Sequence, residues 1–140
     1  MRILGLDIGS KRIGVAISDE LGFTAQGLET LMCKTPDSDL AHIANLASEY
    51  QVTEIVVGMP YNMNGTEGPQ AQKVRALMQR IQEKTQIPVL EWDERLSTAA
   101  ADRALLEADM SRSKRRKVVD KIAAVLILQG YLDRQRYKES

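Results

Sequence analysis

The chain has 140 residues, of which 44% are hydrophobic and 27% charged, with 19 Lys and Arg against 19 Asp and Glu. At roughly 100–200 residues per domain, this length predicts one domain over residues 1–140, and the composition excludes disordered and collagen-like classes. One Cys and one His exclude an internal disulfide and a Cys/His zinc site. Any metal would therefore have to be held by carboxylates.

The sequence also bears on location. Asp7 interrupts the N-terminal segment, where a secretory signal needs an uncharged apolar run. No stretch reaches the roughly 18 uncharged apolar residues of a membrane span. Residues 118–132 come closest, but Asp120 and Lys121 interrupt them. We therefore expect a cytoplasmic protein, in which Cys33 and His42 are structural or incidental.

Three apolar segments near the N-terminus predict three consecutive strands. Residues 2–8 and 12–19 are rich in β-branched side chains, and Gly9-Ser10-Lys11 between them is typical of a tight turn. A third strand follows at about 24–32. Because the links are short, we expect these three strands to be antiparallel.

The next segments alternate between helical and strand patterns. A helix is predicted to begin after the capping pair Thr35-Pro36, and a second helix follows the loop 61–65. Short apolar runs at 54–58 and 88–92 predict two further strands, buried and parallel.

Two more helices are predicted near the C-terminus. One is a short Ala-rich helix over 97–108 with Ser97 as its N-cap, and the other is a largely buried helix over 118–132. The order predicts an α/β fold, in which a mixed five-stranded sheet of three antiparallel and two parallel strands carries helices on both faces.

The zero net charge conceals an uneven distribution. Residues 1–70 hold four cationic and nine acidic side chains, whereas residues 71–140 hold fifteen and ten. Six cations lie within ten residues, opposed by Asp120 alone: Arg112, Lys114, Arg115, Arg116, Lys117 and Lys121. We expect residues 112–117 to form a basic loop that contacts a phosphate backbone. The alternative is a solvated loop that serves only solubility.

Asp7 and Asp120 are acids in apolar surroundings. Asp7 lies inside an apolar strand, where an isolated carboxylate is costly to bury unless it is paired, hydrogen-bonded or bound to a metal. An ion pair with Lys11 or Arg12 is the structural alternative. Asp120 lies near the start of the last predicted helix, where an acid can simply act as a cap.

A third acidic point, Asp93-Glu94-Arg95, ends the fifth predicted strand. Local pairing of Glu94 with Arg95 or Arg103 is one interpretation. If the acids instead converge at one edge of the sheet, Mg²⁺ or Mn²⁺ would relieve their repulsion, since both ions prefer oxygen ligands. Two such ions about 4 Å apart can activate water and stabilise the leaving oxygen of a phosphodiester. This is nuclease chemistry.

Four blocks of the sequence together resemble the YqgF, or RuvX-like, family. They are DIGSKRIGVA at 7–16, GMP with NMNG at 58–65, DERLST at 93–98, and DKIAA with Ile127-Leu128 at 120–128. The family comprises bacterial proteins described as Holliday junction resolvases and as nucleases for the 5′ end of pre-16S rRNA. The resemblance covers almost the whole chain.

The resemblance implies a ribonuclease H-like fold and a set of site residues. Asp7, Glu94 and Asp120 would be the catalytic acids that bind Mg²⁺ or Mn²⁺, with Asp93 as the main rival to Glu94. The basic loop would lie beside this site. The candidate nucleic-acid-binding residues are Lys11, Arg12, Arg95, Arg112, Lys114, Arg115, Arg116, Lys117 and Lys121.

The first functional hypothesis is a metal-dependent endonuclease that acts on structured RNA, with maturation of the 16S rRNA 5′ end in ribosome biogenesis as its role. A second keeps the site but takes branched DNA as substrate, which requires a homodimer rather than a monomer for symmetric cuts. A third is a ribosome-assembly module without catalysis. The segment 7–16 also looks like the first phosphate motif of actin-like kinases, but those proteins need several hundred residues.

Overall fold

The computed structural model describes residues 1–96 and 112–139, with side chains described for 1–96 and 119–138. Within these ranges the strands are β1 (Arg2–Ile8), β2 (Arg12–Ser18), β3 (Ala25–Met32), β4 (Val52–Met59) and β5 (Val89–Asp93). The helices are α1 (Pro36–Glu49), α2 (Pro69–Thr85) and α3 (Arg112–Glu139), and a 3-10 turn (Glu94–Leu96) follows β5.

The five strands form one mixed sheet in the order β3-β2-β1-β4-β5. Strand β2 is antiparallel to both β1 and β3, whereas β4 is parallel to both β1 and β5. This confirms the predicted arrangement of three antiparallel strands followed by two parallel ones. Because β1, β4 and β5 run in the same direction, their carboxyl ends meet at one edge of the sheet.

The two faces of the sheet carry different helices, as the strand alternation requires. In β1, Leu4 and Leu6 pack with α1 and α2, while Ile3 belongs to the cluster formed with α3. Strand β4 divides in the same way, with Val57 on the first face and Val56 on the second. The predicted helices on both faces are therefore confirmed.

Helix α1 begins as its sequence predicts. The Thr35 hydroxyl accepts a hydrogen bond from the backbone N–H of Ser38 at 3.1 Å, and Pro36 occupies the first helical position. Both features satisfy or remove backbone N–H groups that have no partner within the helix.

Glycines on the sheet let α3 lie close to it. A Cβ atom on Gly14 would stand 1.9 Å from the carbonyl oxygen of Asp120, and one on Gly5 would stand 2.7 Å from the Cβ of Leu128. Real Cβ atoms do not approach so closely, so any side chain at either position would push the helix away. The close packing determines how near Asp120 comes to the sheet.

Helix α3 corrects two expectations. The predicted loop over residues 112–117 is wrong, because these residues form the first turns of α3, as the high helix propensity of Lys and Arg permits. The helix predicted over 118–132 is present but longer at both ends. The predicted helix over 97–108, with Ser97 as its cap, lies outside the described residues.

Burial along α3 follows one face. Its buried residues recur every three or four positions: Val119, Ala123, Ala124, Ile127, Leu128, Tyr131 and Leu132. Ile122 and Val125 are only half-buried. No helix in the described ranges is long and apolar enough to span a membrane.

Candidate active site

A cavity of about 310 Å³ opens at the edge of the sheet where β1, β4 and β5 end. Three acids from three different elements line it: Asp7 of β1, Glu94 of the 3-10 turn and Asp120 of α3. Lys11 and Arg12 supply its cations. The structure thus places around one cavity the three acids that the sequence separates widely.

Asp7 owes its position to the register of the sheet. It pairs with Gly14 of β2, and Gly14 lies against the backbone of Asp120. Alternation along β1 places Asp7 on the same face as Ile3, which is the face that α3 covers. Its residue is 7% exposed, so the carboxylate is one of the few buried charges among the described residues.

Glu94 reaches the cavity beside a strand glycine. Gly58 of β4 pairs with Trp92, two residues before Glu94. A Cβ atom on Gly58 would stand 2.7 Å from Oε1 of Glu94 and 2.5 Å from Cδ1 of Ile127. The absent side chain at position 58 therefore leaves the space that the Glu94 carboxylate and α3 occupy.

Asp120 forms an ion pair with Arg12. The Nε atom of Arg12 donates to Oδ2 of Asp120 at 2.6 Å, and both side chains are mostly buried. The capping interpretation of Asp120 is wrong, because α3 begins at Arg112 and places Asp120 in its third turn. Arg12, considered above as a partner for Asp7, pairs with Asp120.

Asp93 is engaged by Arg95. The Arg95 guanidinium donates to both carboxylate oxygens at 2.7–3.1 Å, and the Arg95 backbone N–H donates to Oδ1 at 2.9 Å. The guanidinium hydrogen bonds lower the pKa of Asp93 below its usual value, and the same contact raises the pKa of Arg95. Asp93 does not line the cavity, whereas Glu94 does.

Arg95 also contacts the loop after β4. Its guanidinium lies 5.4 Å from the centroid of the Tyr61 ring, and Nη1 donates to the Met63 carbonyl at 3.3 Å. Of the two cations considered as partners for Glu94, Arg95 thus pairs with Asp93, and Arg103 lies outside the described residues. Arg95 links the end of β5 to the loop.

The predicted nucleic-acid-binding residues lie in different places. Lys11 and Arg12 line the cavity. The stem of Lys121 runs along β3, with Cβ and Cδ each 3.6 Å from the Cβ position of Gly27. The residues over 112–117 lie on the first turns of α3, before Asp120.

The cavity is also lined by residues that were not predicted as site residues, among them Pro60 and Gln70. Pro60 follows β4, and Gln70 in the first turn of α2 donates from Nε2 to the carbonyl of Ile8 at 3.1 Å. This bond fixes α2 against the end of β1. Nothing in the local sequence around Gln70 distinguishes it from the exposed glutamines of α2, Gln72, Gln79 and Gln82.

Three carboxylates supply the oxygen donors that Mg²⁺ and Mn²⁺ prefer, so the chemistry of the set fits a divalent ion. Among the residues that the structure describes, no three Asp, Glu, His or Cys side chains are grouped closely enough to hold a metal. Binding would therefore require the carboxylates to move closer together, with Oδ2 of Asp120 already bonded to Arg12.

Comparison with known proteins identifies relatives over nearly the whole chain. Residues 1–134 match the RuvX family model, which is described as a Holliday junction resolvase. A protein of Desulforamulus reducens is 57% identical over 133 residues, covering 95% of this chain and 97% of the relative. A protein of Clostridium botulinum is 59% identical over 133 residues, with the same coverage. Both relatives carry the name "Putative pre-16S rRNA nuclease".

Solved structures share the fold at low sequence identity. Thermus thermophilus RuvC in complex with a Holliday junction substrate superposes with a TM-score of 0.62 at 14% identity, covering 97% of this chain and 96% of RuvC. The fowlpox virus Holliday junction resolvase gives 0.56 at 17% identity, covering 96% and 99%. These likenesses confirm the expected ribonuclease H-like fold. Since the family match and the curated relatives cover almost all of it, the chain belongs to the RuvX family of nucleases.

Proposed function

We propose that the protein is a divalent-metal-dependent endonuclease that hydrolyses phosphodiester bonds at the 5′ end of pre-16S rRNA, in cytoplasmic ribosome biogenesis. The observation that carries the proposal is that Asp7, Glu94 and Asp120 line one cavity. The names of the curated relatives favour precursor rRNA as substrate.

In this proposal the three carboxylates hold Mg²⁺ or Mn²⁺, which activates a water and stabilises charge on the scissile phosphate. Lys11 and Arg12 line the same cavity and neutralise the phosphate as negative charge develops. Arg95 holds Asp93 and the loop after β4, so it positions the segment that carries Glu94.

The basic first turns of α3 bind the substrate backbone. At 1.5 Å per residue, residues 112–117 lie about 5–12 Å beyond Asp120 along the helix axis. The helix N-terminus adds its own positive potential for phosphate. Because this segment lies just before an acid of the site, it is placed to bind nucleotides that flank the cleavage point.

A second candidate function is resolution of branched DNA, which the description of the matching family model favours. It would use the same three acids. It would also require a homodimer, since two strands must be cut symmetrically, whereas trimming one RNA strand can be done by a monomer.

Cleavage assays distinguish these functions. The substrates are a pre-16S 5′ fragment and a four-way DNA junction, each with Mg²⁺ or Mn²⁺, and the variants are Asp7→Asn, Glu94→Gln and Asp120→Asn. Loss of an outer-shell partner of a metal typically costs about 10–100-fold, so loss of a ligand should cost about 100-fold or more. Asp133→Asn, on the exposed side of the same helix, is the matched control.

We expect the RNA fragment to be cut and Asp133→Asn to behave as the parent protein. Cleavage that survives Asp7→Asn would contradict the carboxylate mechanism. Efficient cutting of the junction without cutting of RNA would favour the second function. Binding of the RNA fragment without cleavage of either substrate would favour an assembly module.

A further inference from the structure

A second cavity, of about 420 Å³, adjoins the candidate active site. The two cavities share four lining residues: Ile8, Gly9, Ser10 and Gln70. Beyond these residues the second cavity extends between the β3–α1 connection and the exposed side of α2. A ligand in it would be continuous with a phosphodiester in the active site.

Much of the lining of the second cavity is apolar. Its apolar side chains come from β1, β2, the β3–α1 connection, the start of α1, and α2: Ile8, Ile13, Cys33, Pro36, Ala76 and Leu77. Its volume lies in the range of roughly 300–1,000 Å³ that is typical of small-molecule sites. The hydrogen bond from Gln70 to the Ile8 carbonyl holds the wall shared with the active site.

Cations also line the second cavity. Lys34, Lys73 and Arg80 line the cavity with one carboxylate, Asp39. Asp39 is buried and accepts from the backbone N–H of Lys34 at 3.0 Å, so it serves the turn into α1. Arg80 is paired with Asp37 at 2.5 Å. Lys34 and Lys73 are both exposed.

We infer that the second cavity binds one unpaired nucleotide of the RNA substrate, adjacent to the scissile phosphate. The inference rests on the proposed function and adds a substrate feature to it. Single-strand binding sites combine an apolar, usually aromatic, surface for the base with cations for the backbone. In this cavity aliphatic side chains supply the apolar surface, and lysines supply the cations. Bases within a paired A-form helix are not accessible in this way. Cleavage therefore occurs next to an unpaired nucleotide.

Binding of two fluorescent RNA hairpins tests the inference. The extended hairpin has a single-stranded 5′ extension, and the paired hairpin has the same loop and stem but a blunt end without the extension. Affinities are measured in EDTA so that neither is cut. The variant Ala76→Glu adds a carboxylate to the cavity from an exposed helical position. Its control, Gln79→Glu, adds the same charge to the exposed surface of α2 outside the cavity lining.

We expect Ala76→Glu to weaken binding of the extended hairpin by about fivefold or more, the lower end expected for loss of one base contact. Binding of the paired hairpin should match that of Gln79→Glu. Equal behaviour of the two variants on the extended hairpin would overturn the inference. Equal weakening of both hairpins by Ala76→Glu would also overturn it, because it would indicate general repulsion of nucleic acid.

A second pair of variants tests the cationic part of the site. Lys73→Ala should reduce the slope of log affinity against log salt for the extended hairpin by about 0.7, the value for one phosphate contact in a single strand. Lys84→Ala, exposed in the last turn of α2, should leave the slope unchanged. An unchanged slope for Lys73→Ala would show that Lys73 does not contact an RNA phosphate and would contradict its assignment to the site.

These binding measurements can fail independently of the proposed function. If the protein cuts RNA in an Asp7-dependent manner while Ala76→Glu equals Gln79→Glu, only the second cavity's role is contradicted. If Ala76→Glu selectively loses the extended hairpin but the protein cuts nothing, the second cavity is supported and the nuclease proposal is contradicted.

Discussion

Arg12 on β2 and Asp120 on α3 are 108 residues apart in the chain, yet Nε of one lies 2.6 Å from Oδ2 of the other. The pair joins the edge of the sheet to the helix, beside Gly14, where helix and strand are in close contact. It also places a cation on an acid that we propose as a metal ligand. We therefore expect Arg12 and a divalent ion to compete for the same carboxylate.

Arg12 stabilises the folded protein and occupies an oxygen of Asp120, and replacing Arg12 should separate these two effects. We expect Arg12→Gln to lower the free energy of unfolding in EDTA by about 1.5–3 kcal/mol, the usual contribution of a hydrogen bond to a charged group. The same variant should bind Mn²⁺ more tightly, because the guanidinium no longer occupies Oδ2 of Asp120 or adds a positive charge beside the ion. Thermal unfolding and calorimetric titration with Mn²⁺ measure the two effects, and Arg12→Lys is the charge-preserving control. Weaker Mn²⁺ binding by Arg12→Gln would contradict the competition.

Metal should stabilise the folded protein through the same carboxylates. At a concentration ten times its dissociation constant, Mn²⁺ should raise the free energy of unfolding by about 1.4 kcal/mol, since only the folded state presents the site. Differential scanning fluorimetry with and without Mn²⁺ measures this as a rise in Tm. Asp7→Asn should abolish the rise and Asp133→Asn should preserve it. A rise that persists in Asp7→Asn would place the ion elsewhere.

Gly58 should be needed for activity as well as for packing. A methyl group there would overlap Oε1 of Glu94 and Cδ1 of Ile127, so we expect Gly58→Ala to cost about 1–3 kcal/mol of stability, as overpacking usually does. The cleavage rate should fall by more than the loss of stability explains, because the Glu94 carboxylate is displaced.

Gly5→Ala is the matched control for Gly58→Ala. Its Cβ would meet Leu128 on the same helix but no residue of the cavity. Rates compared well below both melting temperatures should show a loss only for Gly58→Ala. Equal rates in the two variants would mean that Glu94 either tolerates the shift or is not catalytic.

The Asp93–Arg95 contact makes a pH-dependent contribution to stability. Because the contact lowers the pKa of Asp93 below its usual 3.8, the contribution is present above about that pH and is lost as the pH falls through the lowered pKa. The pair is partly exposed, so we expect Asp93→Asn to cost less than about 1 kcal/mol at pH 7. The unfolding free energies of the two proteins, measured with denaturant, should converge as the pH is lowered from 3.8 through the lowered pKa of Asp93. A difference that grows toward low pH would have the wrong sign.

The basic first turns of α3 should account for much of the salt dependence of RNA binding. If Arg115 and Arg116 each contact a phosphate, replacing both with Ala should reduce the log–log salt slope by about 1.8 on a paired substrate. The control replaces Arg134 and Arg136 with Ala, which removes the same charge from the other end of α3. Equal changes in slope for the two double variants would show that net charge, not position, governs binding.

The sequence by itself determined the local elements and the identity of the candidate acids. The apolar, β-branched composition of 2–8 and 12–19 and the turn Gly9-Ser10-Lys11 between them predict β1 and β2, because such side chains favour the extended backbone of a buried strand. Thr35-Pro36 predicts the start of α1 because capping involves only neighbouring backbone groups. The ordered blocks of the resemblance identify Asp7, Glu94 and Asp120, which the structure places around one cavity.

Only the tertiary structure decided which groups meet. The partner of Arg12 and the cavity behind Gln70 depend on how closely α3 and α2 approach the sheet. The start of α3 was mispredicted because Lys and Arg are compatible with both an exposed loop and a helix, so their local preference does not choose between them. Contacts between residues distant in the chain depend on how the helices pack on the sheet. The local hydrophobic pattern of a segment does not specify that packing.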